Sequence, residues 1–162
     1  NLLRIYDVSF VGRCYGERQS FIDALKRNGI NVAIFGQGWE NGSRVSQADL
    51  IKIYNQSKIS LNISFASKGD KILAIKGRDF EAPGCGSLLL TKDTKEIAEY
   101  FVPGEEIITY KDANDAADKI KFYLANEDKR EKTAKNGYER VMREHTIERR
   151  LLDVFKSSDQ KA

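Results

Sequence analysis

The densest set of residues able to do chemistry is the run Lys76-Gly77-Arg78-Asp79-Phe80-Glu81. A helix starting near Lys76 to Arg78 would turn free backbone N–H groups and the positive end of its dipole toward a ligand. Lys76 and Arg78 would add full charges beside them, which together make an anion site suited to a diphosphate. Lys68 and Lys71 can reinforce it. Glu81 stands three residues after Arg78, on the same helical face, where a carboxylate accepts hydrogen bonds from two neighbouring hydroxyls of a ribose. The spacing suits equally well a plain surface pair between Arg78 and Glu81, worth about a few tenths of a kcal/mol.

Two further loops hold candidates. In Gly12-Arg13 the glycine permits close backbone approach and the arginine can hold phosphate oxygens in its planar fork of donors, or the pair is a turn glycine followed by a solvated arginine. Gly36-Gln37-Gly38-Trp39 places the sole tryptophan on a glycine-rich loop, where the indole either stacks on a base or sugar or plugs the loop onto the sheet edge. His145, among Arg143, Glu144, Glu148 and Arg149, reads as structural or solvated, so no histidine general base is expected. Cys14 and Cys85 are far apart and lack CxxC spacing, which indicates neither a zinc site nor a disulfide. They read as reduced thiols, buried or half-buried, of a cytoplasmic protein, and no metal or cofactor is implied.

The elements that must position these residues alternate. Val8–Val11 reads as a strand ended by Gly12, and Phe21, Ile22 and Leu25 fall at helical spacing up to Asn28-Gly29. Asn31–Phe35 is a nearly continuous apolar run, expected for a strand buried on both faces of a parallel sheet. Ser46-Gln47-Ala48-Asp49 has capping-box spacing and opens a helix ending near Ser57, before a third strand, Ile59–Ile63. A long loop from Ser64 to Gly77 leads to a helix that Pro83 must keep short, and Ser87–Leu90 is the fourth strand. Asp93 caps a helix through Tyr100, Glu106–Tyr110 is the fifth strand, and Asp112 opens a helix to Leu124. Asp128–Glu144 and Thr146–Phe155 read as two more helices. Five strands alternating with helices predict an α/β, Rossmann-like, doubly wound parallel sheet, which binds ligands beyond the carboxyl ends of its strands where the strand order reverses. The loops after Val11, Phe35, Ile63 and Leu90 are therefore the ones that face a ligand.

With 162 residues, 41% of them apolar, the chain has the size and mix of one domain, placed here at 1–155 with a polar tail at 156–162. The 27 Lys and Arg against 24 Asp and Glu leave a net charge of +3 with both signs interspersed, which implies no nucleic-acid partner. Uninterrupted apolar runs are too short for a transmembrane segment or a signal-peptide core. The start at Asn1, with a strand-like run close behind it, points to a piece of a longer chain.

From Arg78 to Thr91 the sequence Arg78-Asp79-Phe80-Glu81-Ala82-Pro83-Gly84-Cys85-Gly86-Ser87-Leu88-Leu89-Leu90-Thr91 resembles the R-x-F-E-x-x-x-C-G-x-x-L-L-T segment of the glycosyl transferases group 1 superfamily, in the branch that includes spore-maturation CgeB-like proteins. Phe10–Arg13, Phe35–Trp39, Ile59–Ile63, Pro103–Ile107, Asn136–Arg140 and Glu144–Thr146 agree in order, so the likeness spans roughly residues 8 to 150. The resemblance implies the C-terminal half of a GT-B glycosyltransferase, a domain that binds a UDP- or GDP-type nucleotide-sugar donor, with an acceptor domain preceding Asn1. It implies that Glu81 binds the donor ribose, that Arg78 and Arg13 bind the diphosphate beside Lys76, that Gly12 and Gly36 make close backbone approaches, and that Trp39 lies near the base. Lysine, arginine and the helix start would steady the departing diphosphate without a metal, while no catalytic base is assigned and the isolated piece is not expected to turn over donor efficiently. Many group 1 enzymes have a second glutamate eight positions before the one at Glu81, and here that position is Leu73. The alternative is a non-catalytic nucleotide- or sugar-binding module of a surface or spore-coat assembly. A receiver-type domain would want acidic residues after the first strand and an aspartate after the third, where Gly12-Arg13 and Ser64-Phe65 stand instead.

Overall fold

The computed structural model describes residues 3–64 and 75–152. Its elements run β1 (Tyr6–Val11), α1 (Arg18–Arg27), β2 (Ala33–Phe35), α2 (Gln47–Asn55), β3 (Ser57–Leu61), α3 (Arg78–Gly84), β4 (Leu88–Lys92), β5 (Ile108–Tyr110), α4 (Ala113–Ala125) and α5 (Glu127–Arg140). A π turn over Val141–His145 then leads into α6, helical over 147–152. All strands pair in parallel in the order β2-β1-β3-β4-β5. The chain steps outward from β1 to β2, crosses back over β1 to β3, and then walks the other way. The switch point is the crevice between the carboxyl ends of β1 and β3.

Side-chain alternation in the strands builds a core on each face. Leu88 and Leu90 pack with Val8, Phe10, Leu61, Ile22 and Ile120 beneath α1 and α4, while Leu89 points the other way to Ile53, Tyr54, Ala82 and Phe101. The caps read from sequence form: Ser46 accepts from the Asp49 N–H at 3.1 Å, Asp112 from those of Asn114 and Asp115, and Thr146 from that of Arg149.

Three expectations change. The second strand is only Ala33–Phe35 and half-buried, because β2 is an edge strand and its apolar run meets one sheet neighbour instead of two. The helix expected from Asp93 to Tyr100 shrinks to a 3₁₀ turn at Ile97–Glu99, opened by Thr94 accepting from the Ile97 N–H. The helix expected to reach Glu144 leaves α geometry at Arg140, where its guanidinium donates to the Tyr100 carbonyl. The predicted loop residues Lys68, Lys71 and Leu73 lie outside the described residues.

Candidate functional site

A cleft of about 290 Å³ opens at the switch point, lined by Gly12 and Arg13 after β1, Gly36 and Gln37 after β2, Arg44 to Gln47 at the start of α2, Tyr54, and Arg78 and Glu81 on α3. Five of the seven residues singled out from sequence therefore meet: Gly12, Arg13, Gly36, Arg78 and Glu81. Helix α3 delivers the last two as the i, i+3 spacing requires. No ion pair joins Arg78 to Glu81 among the described residues, so the simple surface pair is not what this spacing serves. The Glu81 carboxylate turns back over Gly77, where a Cβ would lie 3.1 Å from its Oε1.

Glycine at 12 and 36 has a cause in the chain itself. A Cβ on Gly12 would come within 2.7 Å of Arg78 Nη1, and one on Gly36 would overlap the Gly12 carbonyl oxygen. Gly36 also holds φ +132°, a backbone conformation that L side chains rarely adopt. The loops after β1 and β2 thus close on each other, with the Gly12 N–H donating to the Phe35 carbonyl at 2.8 Å.

The positive character of this end comes from two guanidinium groups around Phe10. Arg78 sits 5.8 Å and Arg18 5.3 Å from that ring centroid. Arg18 is fully buried, donates to the Arg13 and Ile63 carbonyls, and stacks 4.0 Å over Tyr15. Among the described residues, the buried N–H groups at Arg18 Nε and Arg78 Nη1 have no acceptor and neither arginine pairs with a carboxylate. Burial, and after it the charge of Arg78, hold the Arg18 guanidinium below its ordinary range.

A buried carboxyl anchors α3. Asp79 accepts from the Lys76 N–H at 2.9 Å, from Thr91 Oγ1 at 3.0 Å and from the Asn62 amide, tying the helix start to the ends of β3 and β4. Burial pushes its carboxyl above the usual range, against the opposing pull of these hydrogen bonds. This network takes up part of the helix start. The amides of Asp79, Phe80 and Glu81 already bond the Lys76 and Gly77 carbonyls, and that of Lys76 is held by Asp79.

The remaining two candidates lie elsewhere. Lys76 is not among the lining residues; its ammonium leans to the Tyr15 hydroxyl at 3.2 Å, beside the guanidinium of Arg18. Trp39 is also absent from the lining. Its indole N–H donates to the Gly12 carbonyl at 2.7 Å and its ring packs edge-on against Phe10. It is the plug, and it braces the loop that holds Arg13. His145 is structural, its Nε2 3.0 Å from the Tyr100 carbonyl and its ring against Phe80 and Phe101. Both cysteines are free and half-buried.

Motif reading missed Arg18, Tyr54 and Arg44. Arg18 was detectable only as a basic residue at a position that the α1 period turns inward. Tyr54 packs on the apolar side of α2 and also borders the cleft, where burial pushes its phenol up. A larger hollow of about 1190 Å³ at the amino ends of the strands, around Arg4, Gly86 and Arg130, contains none of the residues singled out. Among the described residues no helix is long and apolar enough to cross a membrane.

A family model described as "Glycosyl transferase-like" matches residues 17–156. Solved structures share the fold at low identity. Anabaena Alr3699/HepE in complex with UDP-glucose superposes with a TM-score of 0.70 at 15% identity over 95% of this chain and 49% of that one. Sucrose-phosphate synthase from Thermosynechococcus elongatus gives 0.72 at 14% identity, over 98% and 46%. The C-terminal domain of the group 1 glycosyl transferase LpcC from Francisella tularensis gives 0.61 at 16%, over 90% and 89%. The chain thus spans about half the length of the first two and nearly all of the third, a single domain. No curated protein matches it.

Proposed function

We propose, from the premise that the chain belongs to the glycosyl transferase-like family, that its cleft binds the nucleoside-diphosphate part of a sugar donor. The observation that carries this is the presentation of Arg78 and Glu81 on one face of α3, opposite Gly12-Arg13, at the switch point of the sheet. Glu81 accepts hydrogen bonds from the two ribose hydroxyls. Arg78 and Arg13 hold the diphosphate oxygens, with Lys76 adding charge from beside Tyr15. The base lies toward Arg44 to Gln47, at the far wall of the cleft.

In transfer, charge grows on the diphosphate as the bond to the sugar breaks. Fixed guanidinium groups in a partly buried site stabilise that charge more than they stabilise the intact donor, which is the condition for lowering the barrier. The acceptor and any general base come from a further domain preceding Asn1, so turnover belongs to that longer protein. The run from Arg78 to Thr91 supports a place in the branch with CgeB-like proteins, and the free thiols Cys14 and Cys85 fit a cytoplasmic setting.

Calorimetric titration with UDP, GDP, ADP and CDP tests the reading. One nucleotide should bind, and Glu81→Ala and Arg78→Ala should each weaken it by about tenfold or more. Absence of binding by folded wild type at millimolar concentrations of all four would sink it.

A further inference from the structure

We propose that Arg18 is a positioning residue of this anion site, an inference that rests on the donor-site reading and extends it to a side chain outside the cleft lining. Its guanidinium joins main-chain groups from the two sides of the switch point. Nη1 donates to the Arg13 carbonyl at 2.7 Å and Nη2 to the Ile63 carbonyl at 2.9 Å. The Tyr15 ring, 4.0 Å away, closes a third side. A planar fork serves two acceptors at a fixed angle, and the point charge of a lysine does not. The main chain of Arg13, itself exposed, is thereby tied to the exit of β3.

A cation with 0% exposure and no carboxylate partner among the described residues is costly to bury, and two carbonyls offset only part of that cost. The neighbouring charge of Arg78 adds to it. An arrangement so unfavourable in the free protein makes sense where an anion completes it: phosphate oxygens beside Arg13 and Arg78 supply the negative charge that the fold withholds. Arg18 contributes a fixed Arg13 backbone and a fixed positive potential.

The experiment compares UDP with uridine, by NMR titration, on wild type, Arg18→Lys and Tyr15→Ala, with Tyr15→Phe keeping the ring as control and folding checked by circular dichroism. Positioning of the diphosphate predicts that Arg18→Lys loses about tenfold in UDP affinity while uridine affinity stays within twofold, and that Tyr15→Ala shows a smaller loss of the same kind. Equal losses for both ligands would assign Arg18 a general structural role and overturn the proposal, as would unchanged UDP affinity in the folded variants. If Arg18→Lys does not fold, the UDP-to-uridine ratio in Tyr15→Ala decides alone. Wild type that binds none of UDP, GDP, ADP and CDP removes the donor reading and this proposal together; where another of the four binds, that nucleotide and its nucleoside take the place of UDP and uridine. Wild type that binds UDP, with a ratio the variants leave unmoved, removes only the role of Arg18.

Discussion

Two arginines are buried almost completely in this domain, and their surroundings are opposite. Arg130, on α5, donates to Glu127 at 2.9 Å, to Glu131 at 3.2 Å and to the Tyr123 carbonyl. Its charge is neutralised within two turns of its own helix. Arg18 has two carbonyls and two rings, and the charged group that shares the Phe10 ring with it is another arginine. A cation paired inside the fold is explained by the fold, and one left unpaired among the described residues beside a cleft is what the proposed anion site accounts for. The α5 flank and the switch-point end are built from the same residue types, and the placement of the counter-charge separates structure from binding.

The largest test of this contrast uses two glycines. A Cβ at Gly36 would overlap the Gly12 carbonyl oxygen, and one at Gly137, on α5, would overlap that of Glu106. Both Gly36→Ala and Gly137→Ala should lose about 3 kcal/mol in chemical denaturation. Only Gly36→Ala should also lose nucleotide affinity in the fraction that stays folded, and equal affinity losses would erase the distinction between the two regions.

Next in size is the pair of arginines itself. Arg130→Met should cost about 1–2 kcal/mol whether or not nucleotide is present. Arg18→Met should cost less than about 1 kcal/mol in the free protein, because it removes a desolvated charge along with two hydrogen bonds, and more when nucleotide is saturating. Thermal unfolding with and without UDP reads the difference. An Arg18→Met penalty that ignores ligand would make the two arginines alike.

Asp79 supplies a pH test. Its folded pKa lies above the ordinary carboxylate value, so the stability it contributes is complete below that ordinary value and is lost as pH rises through the folded one. The stability advantage of wild type over Asp79→Asn should therefore shrink as pH rises from the acid side toward neutrality. An advantage that grows with pH would show that the hydrogen bonds from Lys76, Asn62 and Thr91 outweigh burial. Trp39→Phe should have the smallest effect, about 1 kcal/mol for the lost bond to the Gly12 carbonyl, with nucleotide affinity within twofold of wild type.

Much of the local architecture could be read in advance. Ser46, Asp112 and Thr146 open helices where their spacing says they must, and Pro83 keeps α3 to seven residues. Arg78 and Glu81 share a face because i, i+3 geometry depends on nothing beyond the helix. The extent of β2 was not legible, since an apolar run does not say how many strands will flank it. Nor was the direction of Trp39: an indole on a glycine loop suits a ligand or a core, and Phe10 and the Gly12 carbonyl decide for the core.

The sequence by itself determined the alternation of strand and helix, the parallel doubly wound class, and the set of loops that gather at the carboxyl ends, because these follow from short-range periodicity, caps and the handedness of crossovers. Tertiary structure alone decided that Arg18 is buried with no counter-charge among the described residues and that Lys76 leans to Tyr15. Those facts depend on which chain segments meet across the β1–β3 crevice, and contacts between residues some 45 or more positions apart are set by the packing of the whole sheet, as the bond from Arg18 to Ile63 illustrates.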